Sequence, residues 1–259
     1  MDLKGRRVLI TGATGTNASA IIERLVEEGA KVVGFSRRMP VGQVEAVNKL
    51  GDGTFWWLKT DTANREQVDQ NVAKAAELMG GIDAVICTAF IYWEKELIDL
   101  TREDFETLFD VTFYGYVNVN QAAFPYLKES KGTVLNFASG AGVTTKTVGS
   151  DPAHYCAAKA ATIIWTKKLA IEWGQYGINA NAFNPLVWSN SWDNSMNTPE
   201  IREWINMRVR DNLFEPDIFL SKSPAKEIIA PYVCFLVSDE ARYITGQVLN
   251  CDGGMVESR

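Results

Sequence analysis

Residues 7–18 read RVLITGATGTNA, and this stretch decides the fold. The apolar run 7–11 predicts a strand, and apolar residues at helical spacing in 18–28 predict a helix. Gly12 permits a tight turn between them, and Gly15 lets the backbone approach an anion at the positive end of the helix. Such a strand–turn–helix unit is typical of dinucleotide binding, and the alternative is a tight turn without a ligand.

The rest of the chain continues the alternation of strands and helices. Further strands are predicted at 31–35, 54–58, 83–87, 132–138, 178–183 and 248–251, and helices at 64–78, 103–129, 153–176 and 225–237. Alternation at this spacing indicates parallel strands joined by right-handed crossovers, with helices on both faces. The sequence therefore predicts an α/β fold, a Rossmann-type doubly wound parallel sheet in three α/β/α layers.

We expect one domain over residues 1–259, because no linker divides the alternating pattern. The rhythm breaks only at 188–223, which is rich in Asn, Ser and Trp. A long insert near the carboxyl edge of a sheet is typical of a lid over a substrate.

Composition narrows the functional classes. The chain is 46% hydrophobic and 22% charged, with a net charge of −6, as in an ordinary globular protein. An acidic chain lacks the basic surface that attracts nucleic acids or anionic membranes, so we expect neither partner. Four scattered cysteines predict reduced thiols and a cytoplasmic location, and the lack of clustered ligands predicts no metal site. His154, the single histidine, is interpreted as an ordinary polar residue near a helix start.

The end of the second strand bears on the cofactor. NAD-preferring sites place an acid there for the ribose 2′-hydroxyl, but this chain has Ser36, Arg37 and Arg38. A guanidinium suits a 2′-phosphate, so the sequence favours NADP(H) over NAD(H), with Arg37 as the favoured contact. The alternative is a solvated basic pair.

Tyr155 and Lys159 carry the strongest signal for chemistry. Their i, i+4 spacing places both on one face of a helix, and an ammonium beside a phenol should lower the pKa of the tyrosine. Such a phenol can exchange a proton with a carbonyl or alcohol oxygen while hydride moves at the carbon. Ser139 ends the fifth strand and could hydrogen-bond the same oxygen. The alternative is a pair of residues on a partly exposed helix.

With these residues in place, the chain resembles the short-chain dehydrogenase/reductases, in particular their compact single-domain branch. Besides the glycine turn, Ser139 and the Tyr155/Lys159 pair, the resemblance rests on residues 134–139, Asn184-Pro185 and the string ITGQVLNCDGG at 244–254. It implies hydride transfer to or from a nicotinamide and a homo-oligomer, a homotetramer or a dimer. It also implies that Lys159 binds the nicotinamide ribose and that Ser139 orients the substrate carbonyl.

The expected cofactor contacts come from the glycine turn, the strand ends and the catalytic helix. They are Gly12, Thr14, Gly15, Thr16, Asn17, Ser36, Arg37, Arg38, Asp61, Thr62, Ala89, Tyr155, Lys159, Pro185 and Val187.

Two departures from the family pattern lie near the expected site. Residues 87–90 read Cys-Thr-Ala-Phe where the family usually has Asn-Asn-Ala-Gly. Thr112 stands where the family has an asparagine that helps to relay protons through water. A hydroxyl can still bond to water, so Thr112 is a candidate substitute in the relay.

Aromatic residues suggest the substrate. Tyr92 and Trp93 follow the fourth strand, and Trp188 and Trp192 lie in the predicted lid. They predict an aromatic pocket for a bulky apolar or cyclic compound, and the alternative is that they pack the lid or a subunit interface.

Three functions follow from these patterns. The favoured one is an NADP(H)-dependent oxidoreductase, such as a carbonyl reductase or alcohol dehydrogenase, that interconverts a carbonyl and a secondary alcohol. The others are an epimerase or dehydratase that keeps its cofactor bound, and a non-catalytic NADP(H)-binding sensor.

Overall fold

The short apolar stretches form the strands of one sheet in a computed structural model that describes residues 3–144, 151–187, 203, 225–252 and 256. Within these residues the strands are β1 (Arg7–Thr11), β2 (Lys31–Ser36), β3 (Thr54–Lys59), β4 (Ala84–Cys87), β5 (Thr133–Phe137), β6 (Asn179–Pro185) and β7 (Val248–Cys251). All neighbours pair in parallel, in the order β3-β2-β1-β4-β5-β6-β7. The predicted doubly wound α/β fold is confirmed.

The helices of the described residues are α1 (Thr16–Glu27), α2 (Gln43–Val47), α3 (Arg65–Met79), α4 (Arg102–Phe109), α5 (Gly115–Ser130), α6 (Ala153–Trp173) and α7 (Ala230–Leu236). The sequence did not predict α2. The single helix predicted at 103–129 is divided by a π-helical turn, Asp110–Tyr114. The helix predicted at 225–237 begins as a π-helical turn, Ala225–Ile229, and continues as α7.

Side-chain alternation along the strands explains the three layers. In β1, Val8 and Ile10 join a cluster with the apolar residues of α1 and α7, whereas Leu9 joins a cluster with those of α3, α5 and α6. Successive side chains of a strand point to opposite faces, so a strand covered on both sides is apolar throughout. Helix packing therefore covers both faces of the sheet.

Parallel strands end at one edge, and this edge positions the site. The strand order reverses between β1 and β4, so the chains that leave these strands turn to opposite faces and open a crevice. Thr11, Ser36, Cys87, Phe137 and Pro185 each close a strand at this edge.

Two further findings concern the described part of the chain. No helix in it has the length and apolar character needed to cross a membrane. It also contains no cluster of three or more His, Cys, Asp or Glu side chains suited to a metal ion. The lid predicted at 188–223 lies outside the described residues except for Glu203.

Candidate active site

Gly12 is the point where the chain leaves β1. Its φ is +69°, and a Cβ atom there would lie 2.8 Å from Thr88 Oγ1 and 3.0 Å from the backbone nitrogen of Ala89. Thr11 Oγ1 holds that neighbouring segment by accepting bonds from the nitrogens of Thr88 and Ala89, at 3.1 and 3.2 Å. Both the backbone angle and the close approach require glycine at this position.

The first turn of α1 presents donors beside this glycine. Gly15 caps the helix without a side-chain hydrogen bond, and Thr14 is exposed next to it. Thr16 and Asn17 are half-buried, and the Asn17 Oδ1 is buried without a partner. Uncapped backbone N–H groups at a helix start bind phosphate, and the glycines leave room for it. These residues fit the diphosphate of a dinucleotide.

A cavity of about 370 Å³ continues from Thr14 to the end of β2. Its other lining residues include Arg38, Met39 and Gln43. The Ser36 hydroxyl donates to the Arg38 carbonyl at 2.7 Å and accepts from Trp57 Nε1 at 2.8 Å, which fixes the turn after the strand. Arg38, and not the Arg37 that the sequence favoured, lines this cavity.

The remaining predicted cofactor residues lie at the same edge. Asp61 follows β3 and accepts a bond from the Ala63 nitrogen at 3.1 Å, while Thr62 is buried against α5. Pro185 closes β6 and is half-buried, and Val187 follows the strand and is buried in the core. These four residues thus follow or close strands at the same edge of the sheet as the glycine turn.

Ser139 and Tyr155 meet at the end of β5. The Ser139 side chain is hydrogen-bonded to the Tyr155 hydroxyl and accepts a bond from the Ala141 nitrogen at 3.2 Å. Tyr155 is only 9% exposed, and burial raises the pKa of its phenol despite the bond from Ser139. The expected lowering of the Tyr155 pKa is therefore wrong for this structure, since desolvation outweighs the hydrogen bond with Ser139.

The Lys159 amine lies in an aromatic enclosure formed by Phe90, Tyr116 and Tyr155. Its Nζ is 5.5, 5.2 and 5.7 Å from the respective ring centroids. It donates to the Phe137 carbonyl at 2.8 Å and to the Tyr116 hydroxyl at 3.5 Å. The side chain is buried, and this burial lowers its pKa to about 7.

Thr112 lies within the π-helical turn and is fully buried. Its Oγ1 accepts a bond from the Ile91 nitrogen at 3.3 Å, so it holds the segment that follows β4. Tyr116 was missed at the sequence level. Its contact with Lys159 joins two helices, and the only signal in the sequence was an aromatic residue four positions after Thr112.

Aromatic rings surround Tyr155 on its exposed side. Tyr92 packs edge-on against it at 5.2 Å between centroids, and Phe90 lies at 6.1 Å. Both rings are exposed, Phe90 at 47% and Tyr92 at 39%. Phe90 was also missed as a site residue, although its place in the departing motif at 87–90 could have indicated it. Trp188 and Trp192 lie outside the described residues.

Trp93 has a different neighbour, His154. Their rings meet edge-on at 4.7 Å, and Phe105 contacts the same histidine at 6.0 Å. His154 is fully buried, and both of its ring nitrogens lack a hydrogen-bond partner. It is therefore a buried residue packed against Trp93 and Phe105 near the start of α6, rather than the ordinary polar residue that the sequence indicated.

Comparison with known proteins extends over the whole chain. A family model described as enoyl-(acyl carrier protein) reductase matches residues 12–256. Meso-2,3-butanediol dehydrogenase of Serratia marcescens is 28% identical, over 100% of this chain and 97% of that protein. Cis-1,2-dihydrobenzene-1,2-diol dehydrogenase of Pseudomonas putida is 29% identical, over 98% of this chain and 93% of that protein.

A solved structure agrees with these relatives. The crystal structure of a short chain dehydrogenase from Burkholderia cenocepacia J2315 in complex with NADP superposes with a TM-score of 0.84 at 27% identity, over 98% of this chain and 99% of that one. These named dehydrogenases and reductases are consistent with an NAD(P)-dependent oxidoreductase. The chain belongs to the short-chain dehydrogenase/reductase family.

Proposed function

We propose that the protein is an NADP(H)-dependent oxidoreductase that interconverts a carbonyl and a secondary alcohol. The observation that carries this proposal is the grouping of Ser139, Tyr155 and Lys159 at the carboxyl edge of the sheet, beside the glycine turn. When bound, the nicotinamide supplies or accepts the hydride.

In this proposal, side chains of the protein transfer the proton that accompanies the hydride. Because the pKa of Tyr155 is raised, its phenol holds a proton near neutral pH and can give it to a carbonyl oxygen. Ser139, bonded to the same hydroxyl, is placed to orient that oxygen. A protonated Lys159 stabilises the phenolate that remains after the transfer, since opposite charges nearby favour the ionised form. Reduction should therefore slow as the pH rises past about 7, where Lys159 loses its charge.

The preference for NADP(H) rests on charge. Arg38 lines the cavity that begins at Thr14, and a guanidinium binds a 2′-phosphate through charge-assisted hydrogen bonds. The NADP complex of the Burkholderia relative agrees with this preference. NAD(H) remains the alternative cofactor, with Asp61, Thr62, Ala89, Pro185 and Val187 serving either one.

The substrate that we propose is a bulky apolar or cyclic compound. Phe90 and Tyr92 flank the Tyr155 ring with much of their own surface exposed, so a carbonyl presented to Tyr155 would bring its substituents against these two rings. The name of the Pseudomonas relative, a dehydrogenase of a cyclic diol, is consistent with this class. Trp188 and Trp192 would complete the pocket from a lid at 188–223.

We also propose a cytoplasmic homo-oligomer, a tetramer or a dimer, in which the chain acts as one domain. The thiols of all four cysteines are free, as a reducing compartment would keep them. Ile164 and Ile171 on α6 are 61% and 73% exposed and lie two helical turns apart on one face. Apolar side chains on a helix face suit a contact between subunits.

The deciding experiment follows the absorbance of the reduced nicotinamide with a panel of ketones, cyclohexanone and 2-tetralone against hydroxyacetone. We expect turnover of the cyclic ketones with NADPH, and Tyr155→Phe should lower kcat by about 10²–10⁴-fold while NADPH affinity changes little. Tyr243→Phe, at a fully exposed tyrosine, is the control. An active Tyr155→Phe enzyme would refute the assignment, and equal kcat/KM for the small polar ketone would refute the aromatic pocket.

A further inference from the structure

We infer that Tyr116 is a positioning residue for Lys159, and that its buried hydroxyl is the side-chain acceptor that holds the lysine amine in place. This inference rests on the proposed function, because Lys159 is useful only if Tyr155 moves a proton. It concerns one contact, between the Tyr116 hydroxyl on α5 and the Lys159 Nζ on α6.

The hydroxyl groups of Thr112 and Tyr116, both on this helical run, have different hydrogen-bond partners. The Thr112 Oγ1 accepts a bond from the Ile91 nitrogen, which places it at the chain that leaves β4. Tyr116 lies four residues further on, and its hydroxyl oxygen is 3.5 Å from the Lys159 Nζ. The longer phenol side chain of Tyr116 therefore reaches the Lys159 amine, whereas the Thr112 hydroxyl bonds to the backbone of Ile91.

The Tyr116 hydroxyl is itself held in place. It donates to the Phe137 carbonyl at 3.1 Å, and the same carbonyl accepts from the Lys159 Nζ at 2.8 Å. Because the phenol O–H donates to that carbonyl, the lone pairs of the phenol oxygen can accept a hydrogen bond from the amine. Phe137 O, Tyr116 OH and Lys159 Nζ thus form a closed triangle of hydrogen bonds at the end of β5.

The burial of the Lys159 amine makes the Tyr116 hydroxyl important as an acceptor. Tyr116 is 1% exposed and Lys159 is 2% exposed, so among the residues that the structure describes, the phenol hydroxyl and the amine are both shielded from water. A buried ammonium needs acceptors, and each one that bonds to the charged form raises the pKa of the lysine. The titratable groups that face the amine are Cys87, Tyr116 and Tyr155, and the thiol of Cys87 is neutral because burial raises its pKa to about 12. The Tyr116 hydroxyl is therefore the side-chain acceptor that supports the lysine charge.

The test is Tyr116→Phe, which removes one oxygen and keeps the ring. The charged amine loses an acceptor, so the pKa of Lys159 should fall by about half a unit or more, and the descending limb of the reduction profile should move to lower pH by the same amount. At pH 7 to 8 we expect kcat to fall about two- to threefold, which is the loss of charged lysine that a half-unit shift produces, while KM for NADPH changes by less than about twofold. Tyr114→Phe, at an exposed tyrosine two residues earlier, should match the wild type.

Lysine titration gives a readout that needs neither substrate nor cofactor. In protein carrying isotope-labelled lysine, NMR follows the pKa of Lys159, with the signal assigned by its loss in Lys159→Arg. An unchanged Lys159 pKa in Tyr116→Phe overturns the inference, as does a loss of kcat without any shift of the pH limb. Tyr116→Met, which also lacks the hydroxyl and can repack, replaces Tyr116→Phe should the latter not fold.

The outcomes separate the two proposals. If Tyr155→Phe keeps its activity, the proposed function fails, whatever the NMR titration shows. If Tyr155→Phe is inactive and Tyr116→Phe behaves like the wild type in both measurements, only the role of Tyr116 fails.

Discussion

Gly12→Ala should lower the free energy of unfolding by about 2–5 kcal/mol, through two costs that the structure separates. An alanine at φ +69° is strained by about 1–2 kcal/mol. Its Cβ would also lie 2.8 Å from Thr88 Oγ1 and 3.1 Å from Ala89 Cα, and crowding of packed atoms costs about 1–3 kcal/mol more. Thr88 cannot turn away freely, since its hydroxyl donates to the Thr11 carbonyl at 2.6 Å.

Gly5→Ala is the matched control. Gly5 has a φ of +76°, and nothing lies within 4 Å of a Cβ atom placed there. It precedes β1, at the edge of the sheet away from the nucleotide crevice. Gly5→Ala therefore carries the same backbone strain and the same change in the unfolded chain without the crowding. We expect it to cost about 1–2 kcal/mol.

Urea unfolding of both variants measures the difference, with NADPH binding followed by fluorescence. We expect Gly12→Ala to be the less stable variant by about 1–3 kcal/mol and to bind NADPH at least tenfold more weakly, because the segment at 88–89 must move. Gly5→Ala should bind NADPH like the wild type. Equal losses of stability, or an unchanged NADPH affinity in Gly12→Ala, would refute the close approach as the reason for glycine.

Three further predictions concern the crevice and the core beneath it. Arg38→Ala should weaken NADPH binding more than NADH binding, and Arg37→Ala should affect both little; equal losses from the two variants would contradict the role of Arg38 at the 2′-phosphate. Phe90→Gly, which installs the residue usual in the family, should lower kcat/KM for 2-tetralone more than for hydroxyacetone, and an even loss would remove Phe90 from the pocket. Burial lowers the pKa of His154, with Asp104 opposing and Lys95 reinforcing the shift, so the unfolded chain binds that proton more readily and stability falls as the pH drops below about 6.5. Relative to His154→Phe, the wild type should lose stability between about pH 7.5 and 5.5 in urea unfolding, and a constant difference would contradict this.

Local pattern was enough to predict the sheet. Apolar runs and glycine turns are properties of neighbouring residues, so the strands of the described chain were predicted to within two residues of their observed ends. The Tyr155/Lys159 pair was found for the same reason, because i, i+4 spacing on a helix fixes two side chains on one face.

Contacts between distant elements escaped prediction. The local sequence of α5 does not indicate that Tyr116 contacts a lysine on α6. The burial of Tyr155, which determines the direction of its pKa shift, also depends on residues that are distant in the sequence. That Arg38 and not Arg37 lines the cavity was equally hard to predict, since the turn after β2 depends on a bond from Trp57 to Ser36.

The π-helical turn Asp110–Tyr114 changes the rotational phase of the helical run. It is equivalent to one extra residue in an α-helix, and one residue corresponds to a rotation of about 100° about the axis. A helical wheel drawn continuously over 103–129 would therefore place Tyr116 on the wrong side of the helix relative to α4. Deleting a single residue from this turn should leave the run helical while rotating every side chain of α5 by that angle about the helix axis. The contact between Tyr116 and Lys159 therefore depends on the number of residues in the turn as well as on their identity.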